Sequence, residues 1–75
     1  MNTQVKIGES IRKRRMELGL SQESLAERSG LHRTYISDVE RGNRNVTINS
    51  LDRILSALGI NFLLFFSVYY PDKGN

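Results

Sequence analysis

Apolar residues recur at the spacing of an α-helix through most of the chain, which predicts an all-α fold. Ile7, Ile11 and Leu18 share one face of a first helix that covers about 6–18. Gly19 ends this helix, because glycine readily takes the left-handed conformation that stops a helix. The polar residues before it, 1–6, are expected to be loosely ordered.

The stretch 21–42 predicts two short helices joined by a tight turn. Ser21 is a good cap for the first helix, and Gly30 supplies the left-handed residue that a sharp turn requires. The second helix covers about 33–41 and stops at Gly42. The inward-facing residues of the pair are Leu25, Ala26, Ile36 and Val39. A helix, a short glycine-containing turn and a second helix make up the helix-turn-helix unit.

Two further helices are predicted after this unit. Thr47 caps the first of them and Gly59 ends it, while Asn61 caps a short fifth helix of about 62–67. The polar residues after Pro71 are expected to form a loose tail. The apolar face of the fourth helix consists of Ile48, Leu51, Ile54, Leu55 and Leu58.

The C-terminal part is unusually apolar. Residues 54–71 carry no charge, and five of the six aromatic residues lie in 62–70. Such a length approaches that of a membrane span, but Gly59 and Asn61 interrupt it, so we expect no membrane anchor. So many aromatic side chains on a small chain are more typical of an interface between copies. We therefore expect a homodimer, formed through the dimerisation region 54–70. The residues expected at the dimer contact are Leu58, Ile60, Leu63 and Phe66.

Size and charge narrow the class of protein. Seventy-five residues make one domain, 1–75, and the chain has no cysteine and a single histidine, His32. Neither a metal site nor a cofactor is expected, and the absence of cysteine fits a cytoplasmic protein. We find no catalytic pair of carboxylates and no phosphate-binding glycine loop, which argues against an enzyme. The net charge of +3 favours nucleic acid as a partner.

The motif residues resemble those of a known family. The order Gln22, Ala26, Gly30, Ile36, Glu40, Gly42 resembles the phage-repressor (XRE-like) type of helix-turn-helix domain. The run 32–47, HRTYISDVERGNRNVT, is similar to the controller proteins of restriction–modification systems. This resemblance implies a compact five-helix domain that acts as a dimeric transcription regulator in the bacterial cytoplasm, at the nucleoid. It also implies activation and later repression of its own operon, and activation requires a contact with RNA polymerase.

The second helix of such a unit enters the major groove of double-stranded DNA with its N-terminal part. Arg33 is the first candidate for base reading, since arginine can bond both O6 and N7 of guanine; a phosphate contact is the alternative. Thr34 can meet a thymine methyl, and Tyr35 either contacts DNA or covers the core. Ser37 can bond base or backbone. Asp38 either accepts a hydrogen bond from a cytosine amino group or orients a neighbouring arginine.

Other residues are expected to hold the DNA backbone or the domain itself. By the resemblance, Gln22 clamps a phosphate at the start of its helix, where backbone N–H groups attract anions. The loop residues Asn43, Arg44 and Asn45 resemble the loop that grips the backbone in these proteins, although Arg44 can also reach a base edge. Also by the resemblance, Arg15 pairs with Glu40 and ties the first helix to the reading helix.

The same fold serves other functions, which remain alternatives. A phage repressor or an antitoxin would carry the same motif on a different operon. A membrane- or protein-interaction module would instead use the basic run from Arg12 to Arg15 and the apolar C-terminus as its contact surfaces. For Arg12, Lys13 and Arg14, a solvated helix face is the simpler interpretation.

Overall fold

The computed structural model describes residues 2–70, and within them the chain forms five helices and no strand. The last helix, α5, begins as an α-helix and continues as a π-helix. The bounds are α1 Thr3–Glu17, α2 Gln22–Ser29, α3 Arg33–Glu40, α4 Ile48–Ala57 and α5 Phe62–Leu64 extended by Phe65–Tyr69. The all-α class predicted from the sequence is confirmed.

Most helix ends lie where the sequence predicts them. Ser21 accepts a hydrogen bond from the backbone N–H of Ser24, at 3.0 Å, and starts α2. Thr47 and Asn61 start α4 and α5 in the same way, through N–H groups three residues further on. Gly30 has a φ of 73°, the left-handed conformation needed for the turn between α2 and α3.

The first helix begins earlier than predicted. Asn2 accepts a hydrogen bond from the N–H of Val5, at 2.9 Å, so α1 starts at Thr3 and its first residues are not loose. Gly8 then lets α1 lie directly against the end of α3. A side chain at Gly8 would collide with the α3 backbone, because a Cβ there would lie 2.7 Å from the carbonyl oxygen of Glu40.

The core lies where the apolar faces of all five helices meet. Two predicted members are wrong: Leu18 is 42% exposed and Ile48 is 72% exposed. Leu18 follows the last turn of α1, and Ile48 is the first residue of α4, so both lie at helix ends beyond the packed turns. The buried apolar residues are Ile7, Ile11, Leu25, Ala26, Ile36, Val39, Leu51, Ile54, Leu55, Leu58 and Phe65.

The C-terminal helix differs from its prediction in its length, in its helical form and in which side chains are buried. It starts at Phe62 as expected but extends to Tyr69, beyond the predicted end near 67, and its second part has π-helical turns. Phe65 is fully buried, and so is Leu58, at 1% exposure. The predicted place of Leu58 at a contact between two copies is therefore wrong, because its side chain is already enclosed by its own domain.

Polar contacts join α5 to α1. The hydroxyl of Ser10 lies 2.9 Å from the carbonyl oxygen of Tyr69, and the Tyr69 hydroxyl donates to Glu17 at 2.5 Å. Arg14 donates to the carbonyl oxygen of Leu58 at 3.0 Å, which fixes the bend between α4 and α5.

Among the described residues, no single helix is long and apolar enough to cross a membrane. The helices Ile48–Ala57 and Phe62–Tyr69 pass that test only when taken together, and they meet at a bend of 90°.

Candidate nucleic-acid interface

The outer side of α3 carries the residues expected to read bases. Ile36 and Val39 point into the core, so the intervening positions face away from it. Arg33 and Thr34 are exposed at the start of the helix. The half-buried positions that complete the predicted set are Tyr35, Ser37 and Asp38. His32 takes the cap position without a side-chain hydrogen bond to the helix, as expected of a poorer cap than serine.

A buried charge pair fixes the orientation of α3. Arg15 forms a two-pronged bond to Glu40, with Nε–Oε2 at 2.7 Å and Nη2–Oε1 at 2.9 Å. Their side chains are 11% and 2% exposed, and Arg15 also donates to the carbonyl oxygen of Leu20 at 2.8 Å. The hydrogen bond to Glu40 raises the pKa of Arg15 above its ordinary value. The predicted Arg15–Glu40 pair is thus present, and it ties the C-terminal end of α3 to α1.

Gln22 joins the same network. Its side-chain nitrogen donates to Oε1 of Glu40 at 3.1 Å, so the start of α2 is tied to the end of α3. One amide hydrogen of Gln22 is used in this bond and the second is left for another acceptor. The first backbone N–H groups of α2 also have no partner within the helix. The geometry therefore keeps donors at this helix start, which is what binding a phosphate requires.

Arg33 is held by a residue that the sequence prediction missed. Its Nε lies 2.9 Å from Oε2 of Glu23, in the first turn of α2. Both side chains are exposed, at 56% and 68%, and exposed pairs of this kind contribute about 0–1 kcal/mol. Glu23 can therefore orient the guanidinium group without holding it strongly. Its place beside Ser21 indicates only a favourable charge for the helix dipole, so the sequence gives no signal of this pairing.

A second cluster lies at the other end of the surface. Asp38 accepts hydrogen bonds from Nη2 of Arg41 at 2.8 Å and Nη2 of Arg44 at 3.4 Å. The Arg44 guanidinium also lies over the Tyr35 ring, 5.1 Å from its centre. These bonds, the one from Arg41 above all, hold the pKa of Asp38 below its ordinary value. We call Tyr35, Asp38, Arg41 and Arg44 the arginine cluster.

Asp38 had two predicted roles, base acceptor and orienting group. The geometry favours the second in the free protein, since both of its oxygens face arginines. Asn43 and Asn45 are exposed on either side of Arg44, in the loop after α3. One surface thus combines hydrogen-bonding side chains, arginines and the start of a helix, a combination suited to a DNA duplex.

The side chains predicted at the dimer contact are not all available for one. Ile60 is partly buried against the core, whereas Leu63 is 75% exposed and Phe66 is 43% exposed. The prediction missed two more exposed apolar side chains on α5, Leu64 at 49% and Val68 at 60%. An exposed apolar set of this kind on a small domain is typical of a contact surface.

Comparison with known proteins shows the family of the chain. The family model described as helix-turn-helix matches residues 11–65. Control protein C.BamHI of Bacillus amyloliquefaciens is 45% identical over 60 residues, which cover 79% of this chain and 74% of that protein.

Two solved structures show which kind of helix-turn-helix protein the chain is similar to. The controller protein C.AhdI from Aeromonas hydrophila has a TM-score of 0.81 at 44% identity, covering 84% of this chain and 96% of its own. The controller protein C.Esp1396I, as a tetramer with its natural 35-base-pair operator, has a TM-score of 0.82 at 45% identity, covering 85% of this chain and 84% of its own. The chain belongs to the helix-turn-helix family and, within it, to the controller proteins of restriction–modification systems.

Proposed function

We propose that this protein is a sequence-specific transcription regulator that binds a pseudo-palindromic operator as a dimer and controls its own restriction–modification operon. The observation that carries the proposal is the surface formed by α3 and the arginine cluster, in a chain of the controller family. The start of α3 is exposed, its inner face is fixed by Glu40, and arginines lie at both ends of the surface.

In this proposal α3 enters the major groove with its N-terminal end. Arg33 leaves Glu23 and forms two hydrogen bonds to O6 and N7 of a guanine. Thr34 meets a neighbouring thymine methyl, and Ser37 bonds a base or the backbone. Because Ile36 and Val39 anchor the other side of the helix, these side chains approach the bases from a fixed frame.

Contacts to phosphates would set the register of the protein on the duplex without reading sequence. Gln22 and the first backbone N–H groups of α2 are suited to bind one phosphate. Asn43, Arg44 and Asn45 are exposed in the loop after α3 and suited to bind another. Together these contacts would flank the reading helix on both sides.

A dimer would double the number of base contacts. We propose that Leu63 and Phe66, together with Leu64 and Val68, form the contact between two copies, with Ile60 at its edge. The two reading helices would then lie about 34 Å apart, one turn of DNA. The C.Esp1396I complex with its operator supports binding as an assembly of copies.

The regulatory outcome follows from where the dimer binds. One occupied site would recruit RNA polymerase to the promoter, and further binding would block it, so that the endonuclease is expressed after the methyltransferase. Such a regulator would act in the bacterial cytoplasm, at the nucleoid. Genes for a methyltransferase and an endonuclease beside this one would support the assignment, whereas a toxin gene would favour an antitoxin.

Footprinting on the DNA just upstream of the gene tests the proposal. The expected result is a protected two-fold symmetric site that persists when unrelated DNA is added in excess. Loss of protection in the presence of that competitor would contradict sequence-specific binding, since non-specific affinity comes almost entirely from phosphates.

A further inference from the structure

An acidic residue lies on the surface that is proposed to face DNA. Asp38 is on the outer side of α3, between the base-reading end of the helix and the loop that follows it. Its side chain is 23% exposed, whereas those of Arg41 and Arg44 are 63% and 48% exposed. A carboxylate at this place repels phosphate, so its presence on a DNA-binding surface requires a reason.

The hydrogen bonds of Asp38 supply a reason for its presence on this surface. Each arginine gives Asp38 a single nitrogen, Nη2, and each takes a different carboxylate oxygen. A guanidinium group has five N–H donors, so each arginine keeps most of its donors while this contact orients it. Arg44 is oriented further by its place over the Tyr35 ring. The carboxylate thus orients two arginines and cancels one of their two charges.

This cancellation affects two kinds of DNA differently. Binding to arbitrary sequences depends on the number of phosphates neutralised and the counterions released, so one cancelled charge weakens it directly. Binding to the operator also depends on donors held in fixed directions, because preorganised side chains lose less entropy on binding. Fixing the arginines therefore favours the operator, and lowering the charge disfavours all other DNA.

We propose that Asp38 is a specificity-determining residue, an internal anion that keeps Arg41 and Arg44 oriented and limits the affinity of the protein for non-operator DNA. This inference rests on the proposed function, and it assigns to Asp38 a role in rejecting DNA rather than in reading a base.

The test is the variant Asp38→Asn, which keeps the size of the side chain and removes its charge. Its affinity is measured for the duplex that the wild-type protein protects and for a shuffled duplex of equal length and composition, over a range of salt concentrations. Glu9→Gln is the matched control, since it makes the same charge change at an exposed site on α1. Circular dichroism confirms that each variant is folded.

One additional phosphate contact per protomer should steepen the salt dependence by about 0.9 in log–log slope and tighten binding to the shuffled duplex about five- to tenfold near 0.1 M salt. Binding to the operator should improve less, so the ratio of the two affinities falls. The gain on shuffled DNA should disappear when Arg41 and Arg44 are both replaced by alanine, because no charge is then released by removing Asp38.

Two results would overturn the inference. Asp38→Asn could bind shuffled DNA no more tightly than Glu9→Gln does. Alternatively, it could lose preference at one base pair of each half-site with unchanged binding to shuffled DNA, which would make Asp38 a direct reader of cytosine. The preference of the wild-type protein for the operator over the shuffled duplex tests the proposed function separately. A failure of the proposed function can therefore be distinguished from a failure of the role assigned to Asp38.

Discussion

The helix-turn-helix part of the domain and its C-terminal helix are stabilised in different ways. Around α3, a buried polar network of Arg15, Glu40 and Gln22 joins three helices through side-chain hydrogen bonds of 2.7–3.1 Å. The C-terminal helix α5 has one fully buried side chain, Phe65, and several apolar side chains in solvent. The first region is completed by its own contacts, whereas the second leaves a surface for a partner.

This difference separates two tasks. A reading helix must present its side chains in one fixed frame, and the hydrogen bonds of Glu40 to Arg15 and Gln22 join the end of α3 to both α1 and α2. An interface between copies needs accessible apolar area instead, because hydrophobic contact is the main favourable contribution to association. Substitutions in the two regions should therefore have different consequences, and the largest effect is expected where a side chain is fully buried.

Replacing Phe65 with alanine should have the largest effect. Removing a fully buried phenylalanine typically costs about 3–5 kcal/mol, since the cavity it leaves is only partly refilled. Urea unfolding at fixed protein concentration measures the loss. The control Phe66→Ala removes a neighbouring ring that is 43% exposed and, at protein concentrations low enough to keep the chain monomeric, should lower the free energy of unfolding far less. Equal losses would show that the two rings share the packing.

Arg15→Met should cost about 3 kcal/mol, the lower end of the range for breaking a buried pair, because Glu40 would keep its charge without its partner. The same urea experiment measures it. Adding Glu40→Gln to Arg15→Met removes that stranded charge and should recover a large part of the loss. If the double variant loses as much free energy of unfolding as Arg15→Met and Glu40→Gln lose together, the pair does not act through charge.

Arg33→Ala should weaken operator binding by about 1–3 kcal/mol and relax the preference at one position of each half-site. Competition between operator duplexes that differ at single base pairs measures this preference. Lys13→Ala, which removes a positive charge from the exposed side of α1, should leave every preference unchanged. A uniform loss over all sequences in Arg33→Ala would make Arg33 a phosphate contact.

Leu63→Ser should alter the stability of the protomer least, within about 0.5 kcal/mol, because the side chain is 75% exposed. It should still raise the dissociation constant of the dimer about tenfold, equivalent to about 1.4 kcal/mol. Sedimentation at micromolar concentrations measures the dimer. Leu18→Ser, the same change at an exposed position outside α5, should not affect it. A wild-type protein that is monomeric at these concentrations would contradict the proposed interface.

The sequence predicted features that depend on neighbouring residues better than features that depend on distant ones. The caps at Ser21, Thr47 and Asn61 and the turn at Gly30 are local, so the residue types alone indicate them. The pairing of Glu23 with Arg33 brings two helices together through exposed side chains. Such a pair leaves no pattern along the chain.

The C-terminal helix shows a different reason for failure. Its residues are apolar on all sides, so periodicity does not tell which side faces inward. Phe65 was therefore not assigned to the core, although it is fully buried. Leu58, at the end of α4, was predicted both on the apolar face of that helix and at the dimer contact, and its burial supports only the first. The π-helical turns after Leu64 shift the facing of each later side chain, and an α-helical spacing rule does not describe them.

The most direct test of sequence-specific regulation is the ratio of affinities for the protected operator duplex and for its shuffled counterpart, measured with the wild-type protein across a salt series. Specific DNA-binding proteins prefer their sites by about 10³-fold or more, and we predict a ratio of at least that size near physiological salt. Equal affinities that fall together as salt rises would contradict the account, since α3 and its arginines would then bind only the charge of the DNA.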